Sequence, residues 1–286
     1  MRRLTILAGS VLVAGTMLLV LGAGVFCHLS LQGHPRLSTA PANVATVAIR
    51  APDGANLSAW WARPSSPGPN CVVVLHGIAD SRASAFGFAP MFLNQGYSVL
   101  VPDSRAHGAS GGEFVTYGLI EKYDVLAWAE WMKRAGCGRL YALGESLGAS
   151  ILIQSAGVRP VFSAIAAECP YADLRDVAEY RVRTLGHVPG VVARVIVGAS
   201  MLYADWMDGL NLSDVSPVES IAHASTPILL IHGLRDYLTP VCNSERLAHA
   251  NPRASLWLVP HAGHTSASSA EPMEFRKRVL EWFAQH

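Results

Sequence analysis

From residue 44 to the carboxyl terminus, short apolar runs alternate with longer amphipathic stretches, and this alternation restricts the chain to a mostly parallel, doubly wound sheet wrapped by helices. Cys71-Val-Val-Val-Leu75 is apolar at every position, as a strand covered on both faces must be. Further strands are expected at Tyr97–Val101, Leu140–Leu143, Ala164–Ala167, Ile228–Ile231 and Ser255–Val259. Helices are expected between them at Ala83–Gln95, Glu121–Arg134, Ser146–Val158, Val241–Ala250 and Glu274–Gln285. In Glu121–Arg134, the residues Val125, Trp128 and Met132 recur at three- and four-residue spacing and so share one face. Residues 44–63 read as an antiparallel pair turning at Asp53-Gly54.

Two segments depart from this pattern. The stretch of about 171–222 is too long for an ordinary connection between core strands, and its apolar content marks it as a helical cap over the active site. At the other end, Met1-Arg2-Arg3 precedes an apolar run from Leu4 to Cys27. At 1.5 Å per residue that run is long enough to cross a hydrocarbon core of about 30 Å. Residues 1–27 are therefore expected to form a transmembrane anchor, the alternative being a cleaved signal sequence, whose apolar region is shorter. Residues 28–43 read as a polar linker and 44–286 as the folded domain. The paired arginines before the run, with no lysine or arginine after it until Arg36, put the amino terminus in the cytoplasm and the domain on the extracytoplasmic side.

Composition removes other classes. Of 286 residues, 51% are hydrophobic and 15% charged, and a net charge of +1 gives no footprint for nucleic acid. The five cysteines form no C-x-x-C pair and are read as small buried hydrophobes, with any pairing undetermined. No spacing suits a metal, and the glycine-rich stretch after Asp103 does not fit a phosphate-binding loop, so no cofactor is expected. The oligomeric state is not legible.

Gly144-Glu145-Ser146-Leu147-Gly148 fits G-x-S-x-G between an expected strand and helix. A strand turning sharply into a helix there would strain the serine and raise its hydroxyl at the carboxyl edge of the sheet, where ligands bind in open α/β folds. A serine hydroxyl needs a base, and the base a carboxylate to orient it. Asp236 and His264 follow two later strands at the same edge, in the order Ser, Asp, His. His261 is a competing base, and Asp208, Asp214 and Glu219 are competing acids with poorer placement.

With these motifs in view, residues 44–285 resemble the α/β-hydrolase superfamily. The resemblance rests on G-x-S-x-G, on His232-Gly-Leu-Arg-Asp236 with Pro240, on Gly263-His264, and on Asp103-Ser-Arg-Ala-His-Gly-Ala-Ser110, where Ala106 replaces the usual glycine. It implies Ser146 as nucleophile, Asp236 as acid and His264 as base, with Gly144, Glu145 and Gly148 shaping the elbow. It also implies an oxyanion hole from the backbone N–H groups of Ile78 and Leu147, and structural roles for His76, His232, Arg105, His107 and Ser110. With the Tyr117–Asp124 and Glu168–Asp173 stretches and the short cap, the chain looks most like the bacterial branch grouped with serine aminopeptidases, monoacylglycerol lipases and membrane-anchored acyl-protein or lysophospholipid hydrolases. The expected substrate is a small or lipid-like acyl ester, with amide and thioester cleavage or non-catalytic binding as the alternatives.

Overall fold

The computed structural model describes residues 21–286. Most of the expected membrane-spanning run therefore lies outside the described residues.

Two compact units are present. The larger comprises Gly33–Asp173 and Val215–His286. Its sheet contains β1 (Ala45–Arg50), β2 (Asn56–Ala62), β3 (Asn70–Leu75), β4 (Ser98–Pro102), β5 (Arg139–Glu145), β6 (Ala164–Glu168), β7 (Ile228–Gly233) and β8 (Ala254–Val259). The strand order is β1-β2-β4-β3-β5-β6-β7-β8. β1 pairs antiparallel with β2, with Val47 opposite Ala59, and β2 pairs antiparallel with β4. The remaining neighbours are parallel. The β1–β2 turn closes where expected, with Gly54 at φ 92° and its N–H donating to Ala51 O.

Helices of this unit are α2 (Arg82–Ala85), α3 (Ala89–Leu93), α4 (Glu121–Arg134), α5 (Leu147–Val158), α8 (Pro217–His223), α9 (Cys242–Ala250), α10 (Ala267–Ala270) and α11 (Pro272–Gln285). The continuous helix expected over Ala83–Gln95 is instead broken by a 3-10 turn at Phe86–Phe88. Pro90 has no N–H to continue the helical bonding, and it starts the next helix in the first turn, where that loss costs nothing.

The pleat sends Val72 and Val74 to one face, with Tyr141 and Leu143 of β5, where Phe92, Phe275 and Phe283 cover them. Phe283 stacks on Tyr141 at 4.8 Å between ring centroids and on Phe92 at 5.8 Å. Ile151, Leu152 and Ile153 of α5 are fully buried, which explains why that helix reads as apolar throughout.

Cys71 at the start of β3 is disulfide-bonded to Cys137 in the turn before β5, with a Cα–Cα separation of 5.8 Å. This corrects the reading of all five cysteines as buried hydrophobes. That reading fits Cys27 and Cys169, while Cys242 is exposed. The pair is made by parallel pairing of β3 with β5, where Cys71 lies opposite Leu140, and no local spacing reveals it.

The second unit contains the described part of the first thirty-two residues together with Leu174–Asp214. It is built from α1, which runs over Leu21–Leu31 among the described residues, α6 (Leu174–Leu185) and α7 (Gly190–Asp208). Residues 28–31, expected as linker, are the last turn of α1, because Ala23, Cys27 and Leu31 recur every fourth residue and are all buried. Within the rest of the expected linker, His34 N–H donates to Ala106 O at 2.7 Å, a contact inside the larger unit.

Candidate active site

β5 ends at Glu145 and α5 begins at Leu147, so Ser146 alone makes the turn, at φ 51° and ψ −111°. A side chain is rarely held there, and what holds it is packing around the elbow. A Cβ on Gly148 would lie 2.6 Å from Leu75 O, and one on Gly144 2.7 Å from Ala149 N. Both obstacles are backbone, so only glycine lets α5 approach β3 and β5 this closely. Ser146 N–H donates to Glu168 O at 2.8 Å, and Ser146 O accepts from Ser150 N–H at 3.1 Å.

The loops after β7 and β8 are tied together by Leu234 N–H to Val259 O and Arg235 N–H to Ala262 O, at 3.0 and 2.9 Å. This brings Asp236 to His264. His264 Nδ1–H donates to Asp236 Oδ2 at 2.7 Å, and His264 Nε2 accepts from the Ser146 hydroxyl at 2.8 Å. Asp236 Oδ1 accepts from the Leu238 and Thr239 N–H groups at 2.9 and 2.8 Å. Burial alone would raise the Asp236 carboxyl, but hydrogen bonds from His232, His264 and Thr239 outweigh it and hold the group well below the usual carboxylate range. Asp236 therefore stays ionised and fixes the imidazole tautomer that leaves Nε2 free to take a proton.

The competing candidates lie elsewhere. His261 is exposed and faces Arg235 Nη2 at 3.4 Å. Glu219 stands in the first turn of α8, Asp208 closes α7, and Asp214 ends the short turn that follows α7.

His232 does more than shape a loop. It is fully buried; Nε2–H donates to Thr239 O at 2.8 Å and Nδ1 accepts from the Ser244 hydroxyl at 2.6 Å. Its Nε2 also lies 3.4 Å from Asp236 Oδ2, so it supports both the acid and the backbone turn that the acid caps. Cys169, His232 and Asp236 place potential ligand atoms within 4.8 Å of one another. Burial, above all, pushes the Cys169 thiol upward, so it is not a thiolate, and the other two side chains are engaged in the hydrogen bonds just described. The cluster is part of the acid's support and does not have the character of a metal site.

Leu147 opens α5, so its N–H belongs to the first turn, whose amides have no partner within the helix. The segment carrying Ile78 runs beside it: a Cβ on Gly77 would meet Ser146 Cβ at 3.5 Å. Two buried imidazoles pin this segment. His76 Nδ1–H donates to Gly77 O while Nε2 accepts from Ser104 N–H, at 2.7 and 3.0 Å. His107 Nε2 accepts from Ala79 N–H at 3.3 Å and Nδ1–H donates to Arg105 O at 2.8 Å. Burial, and for His107 the neighbouring His76, lowers both basicities, His107 to about 4, so both rings are neutral near pH 7.

Arg105 bonds Asp124 of α4 through Nε and Nη2, and Asp53 of the β1–β2 turn through Nη1. Ser110 accepts from Ser58 N–H and donates to Asp103 O. Ala106, where glycine was usual, has φ 57°, so the loop keeps the left-handed turn despite the substitution.

Two carboxyl groups flank the nucleophile. Burial, with Glu168 and Asp80 nearby, pushes Glu145 up to about 8. Burial likewise raises Glu168 to about 7; its Oε1 accepts from Ala267 N–H at 2.8 Å, and among the described residues Oε2 has no hydrogen-bond partner. Ser244 carries no signal in the sequence, because it meets the site only through the fold, whereas Thr239 lies inside the His232–Pro240 motif, three residues from Asp236.

Comparison with known proteins agrees with this fold. A family model described as the alpha/beta hydrolase family matches residues 72–278. The uncharacterized protein YqkD of Bacillus subtilis is 28% identical over 220 residues, 75% of this chain and 71% of its own length. The lysophosphatidylserine lipase ABHD12 of Danio rerio is 25% identical over 190 residues, which cover 63% of this chain and 47% of that protein. Among solved structures, the Pyrococcus furiosus esterase Pf2001 superposes with a TM-score of 0.71 at 25% identity, over 88% of this chain and 98% of that one.

Proposed function

Since the chain belongs to the alpha/beta hydrolase family, we propose that it is a serine hydrolase cleaving carboxylic esters through an acyl-enzyme on Ser146. The observation that carries the reading is the unbroken relay from Asp236 through His264 to the Ser146 hydroxyl. Likeness to an esterase and to a lysophospholipid lipase supports an acyl ester as substrate.

In this mechanism Ser146 Oγ attacks the acyl carbonyl as His264 Nε2 accepts its proton. The Leu147 and Ile78 N–H groups hold the oxyanion, and the alcohol departs with the proton from His264. Water then attacks the acyl-serine by the same route. Asp236 stays charged throughout and stabilises the imidazolium that forms.

The same reading tethers the chain through residues 1–27, with the catalytic domain on the extracytoplasmic side. The Cys71–Cys137 disulfide supports that side, since such bonds persist in oxidising compartments.

A fluorophosphonate probe tests the chemistry. It should label the wild-type protein and fail to label Ser146→Ala, whose turnover should fall by about 10⁶-fold. Folded wild-type protein that resists the probe would leave a tethered binding protein as the better account. A panel of acyl esters of graded chain length, run beside thioesters and aminoacyl amides, tests the substrate class. Turnover of amides alone would replace esterase by peptidase.

A further inference from the structure

α7 is apolar on opposite sides. One side, with Ala193, Val197, Met201 and Ala204, is buried within its own unit, where α7 packs against α6 and the Ser200 hydroxyl donates to Ala23 O of α1 at 3.1 Å. The other side carries Val191, Val195, Leu202 and Trp206, which fall within about 60° of one another around the helix axis. They are exposed to 61%, 47%, 72% and 76%. No charged residue interrupts that stripe. By length and composition α7 suffices to cross a membrane, yet only 28% of its apolar window is buried. A stripe of this size on a water-exposed helix marks an interaction surface.

α1 repeats the arrangement. Its buried residues Ala23, Cys27 and Leu31 face its own unit, while Leu21, Val25 and Leu29 are exposed to 65%, 60% and 61%. The apolar sequence of residues 4–20 runs directly into this helix. The partner that covers the exposed residues is therefore one the chain meets at the end of an apolar span.

Charge agrees at the amino-terminal end of α7. Between Arg181 and Ala204 there is no aspartate or glutamate, and Arg181, Arg183 and Arg194 flank the turn joining α6 to α7 in sequence, whereas the exposed Asp205 and Asp208 stand beside Trp206 at the other end of the helix. Basic residues near the exposed Val191 and Val195 match the anionic headgroup layer of a bilayer, and tryptophan favours that depth.

We propose that the α1–α6–α7 unit is a membrane-seated platform that inserts the Val191–Trp206 stripe of α7 into the interfacial layer of an anionic bilayer. This rests on the chain meeting a membrane and is independent of the ester chemistry at Ser146.

The test places an environment-sensitive fluorophore on cysteines introduced as Leu202→Cys or Trp206→Cys, with Met273→Cys as the exposed reference and Cys242→Ser in every variant. The full chain is reconstituted in nanodiscs containing phosphatidylglycerol, one chain per disc, with quencher attached to the lipid acyl chains. The expected result is a blue shift and loss of emission at 202 and 206, with neither change at 273. Water-like emission at 202 and 206 would overturn the proposal. A blue shift without lipid quenching would also overturn it, assigning the stripe to a protein partner. Retention in the disc after an alkaline wash reports the tether separately. If the chain is not retained, the labelled proteins are added to phosphatidylglycerol vesicles, where the same contrast is expected and its absence refutes the platform.

Discussion

Ser146 is held where its side chain is least comfortable, and the residues around it supply the restraint. Gly144 and Gly148 are legible as a motif, whereas Glu145 and Glu168 acquire their character from burial and from the acidic groups near them. Both carboxyls are raised above an ordinary value of 4.5, to about 8 and about 7, so the native protein holds protons there that the unfolded chain releases near 4.5. Their contribution to stability is full below that value and is lost as pH rises through about 7 to 8. Glu145→Gln keeps the size and removes the ionisation. Denaturant titrations should find it close to wild type at pH 5 and more stable than wild type at pH 9. Parallel declines of the two proteins would refute this account of Glu145.

At the scale of elements, the site is three loops at one sheet edge, following β5, β7 and β8. The sequence predicts α4 with the same bounds that the structure gives, because a 14-residue helix with one apolar face needs no outside information to declare itself. The helix expected at Ala83–Gln95 fails for a local reason, Pro90, that could have been weighed. The elbow depends on the closeness of α5 to β3. Gly148→Ala would force a methyl against Leu75 O and should cost about 1–3 kcal/mol. Thermal melts should show that loss, and fluorophosphonate labelling should slow more than the loss of folded protein explains, since the shift falls on Ser146. An unchanged labelling rate would mean that the elbow tolerates displacement.

For the molecule as a whole, the disulfide joins residues 66 apart and crosses from the start of β3 to the turn before β5. Closing a loop of that length restricts the unfolded chain by about 4 kcal/mol. Cys71→Ser with Cys137→Ser should therefore unfold at lower denaturant concentration. The slope of the transition should rise as well, because an uncrosslinked unfolded chain exposes more surface. Full stability in the double variant would show that the sheet alone fixes these strands.

The sequence by itself determined the sheet-and-helix alternation, the nucleophile motif and the order in which its partners follow. These are encoded in short runs, where periodicity and local backbone demands act between near neighbours. Only the tertiary structure decided that His264 lies between Ser146 and Asp236, that His232 and Thr239 support the acid, that His76 and His107 pin the segment bearing Ile78, and that Cys71 pairs with Cys137. The Ser146, His264 and Asp236 contacts, those of His76 and His107, and the disulfide join segments far apart in sequence, while His232 and Thr239 meet Asp236 within the end of β7 and the turn after it; the unpartnered stripe of α7 is visible only once its other side is buried. Burial and long-range contact are properties of the packed chain, and no window of sequence contains them.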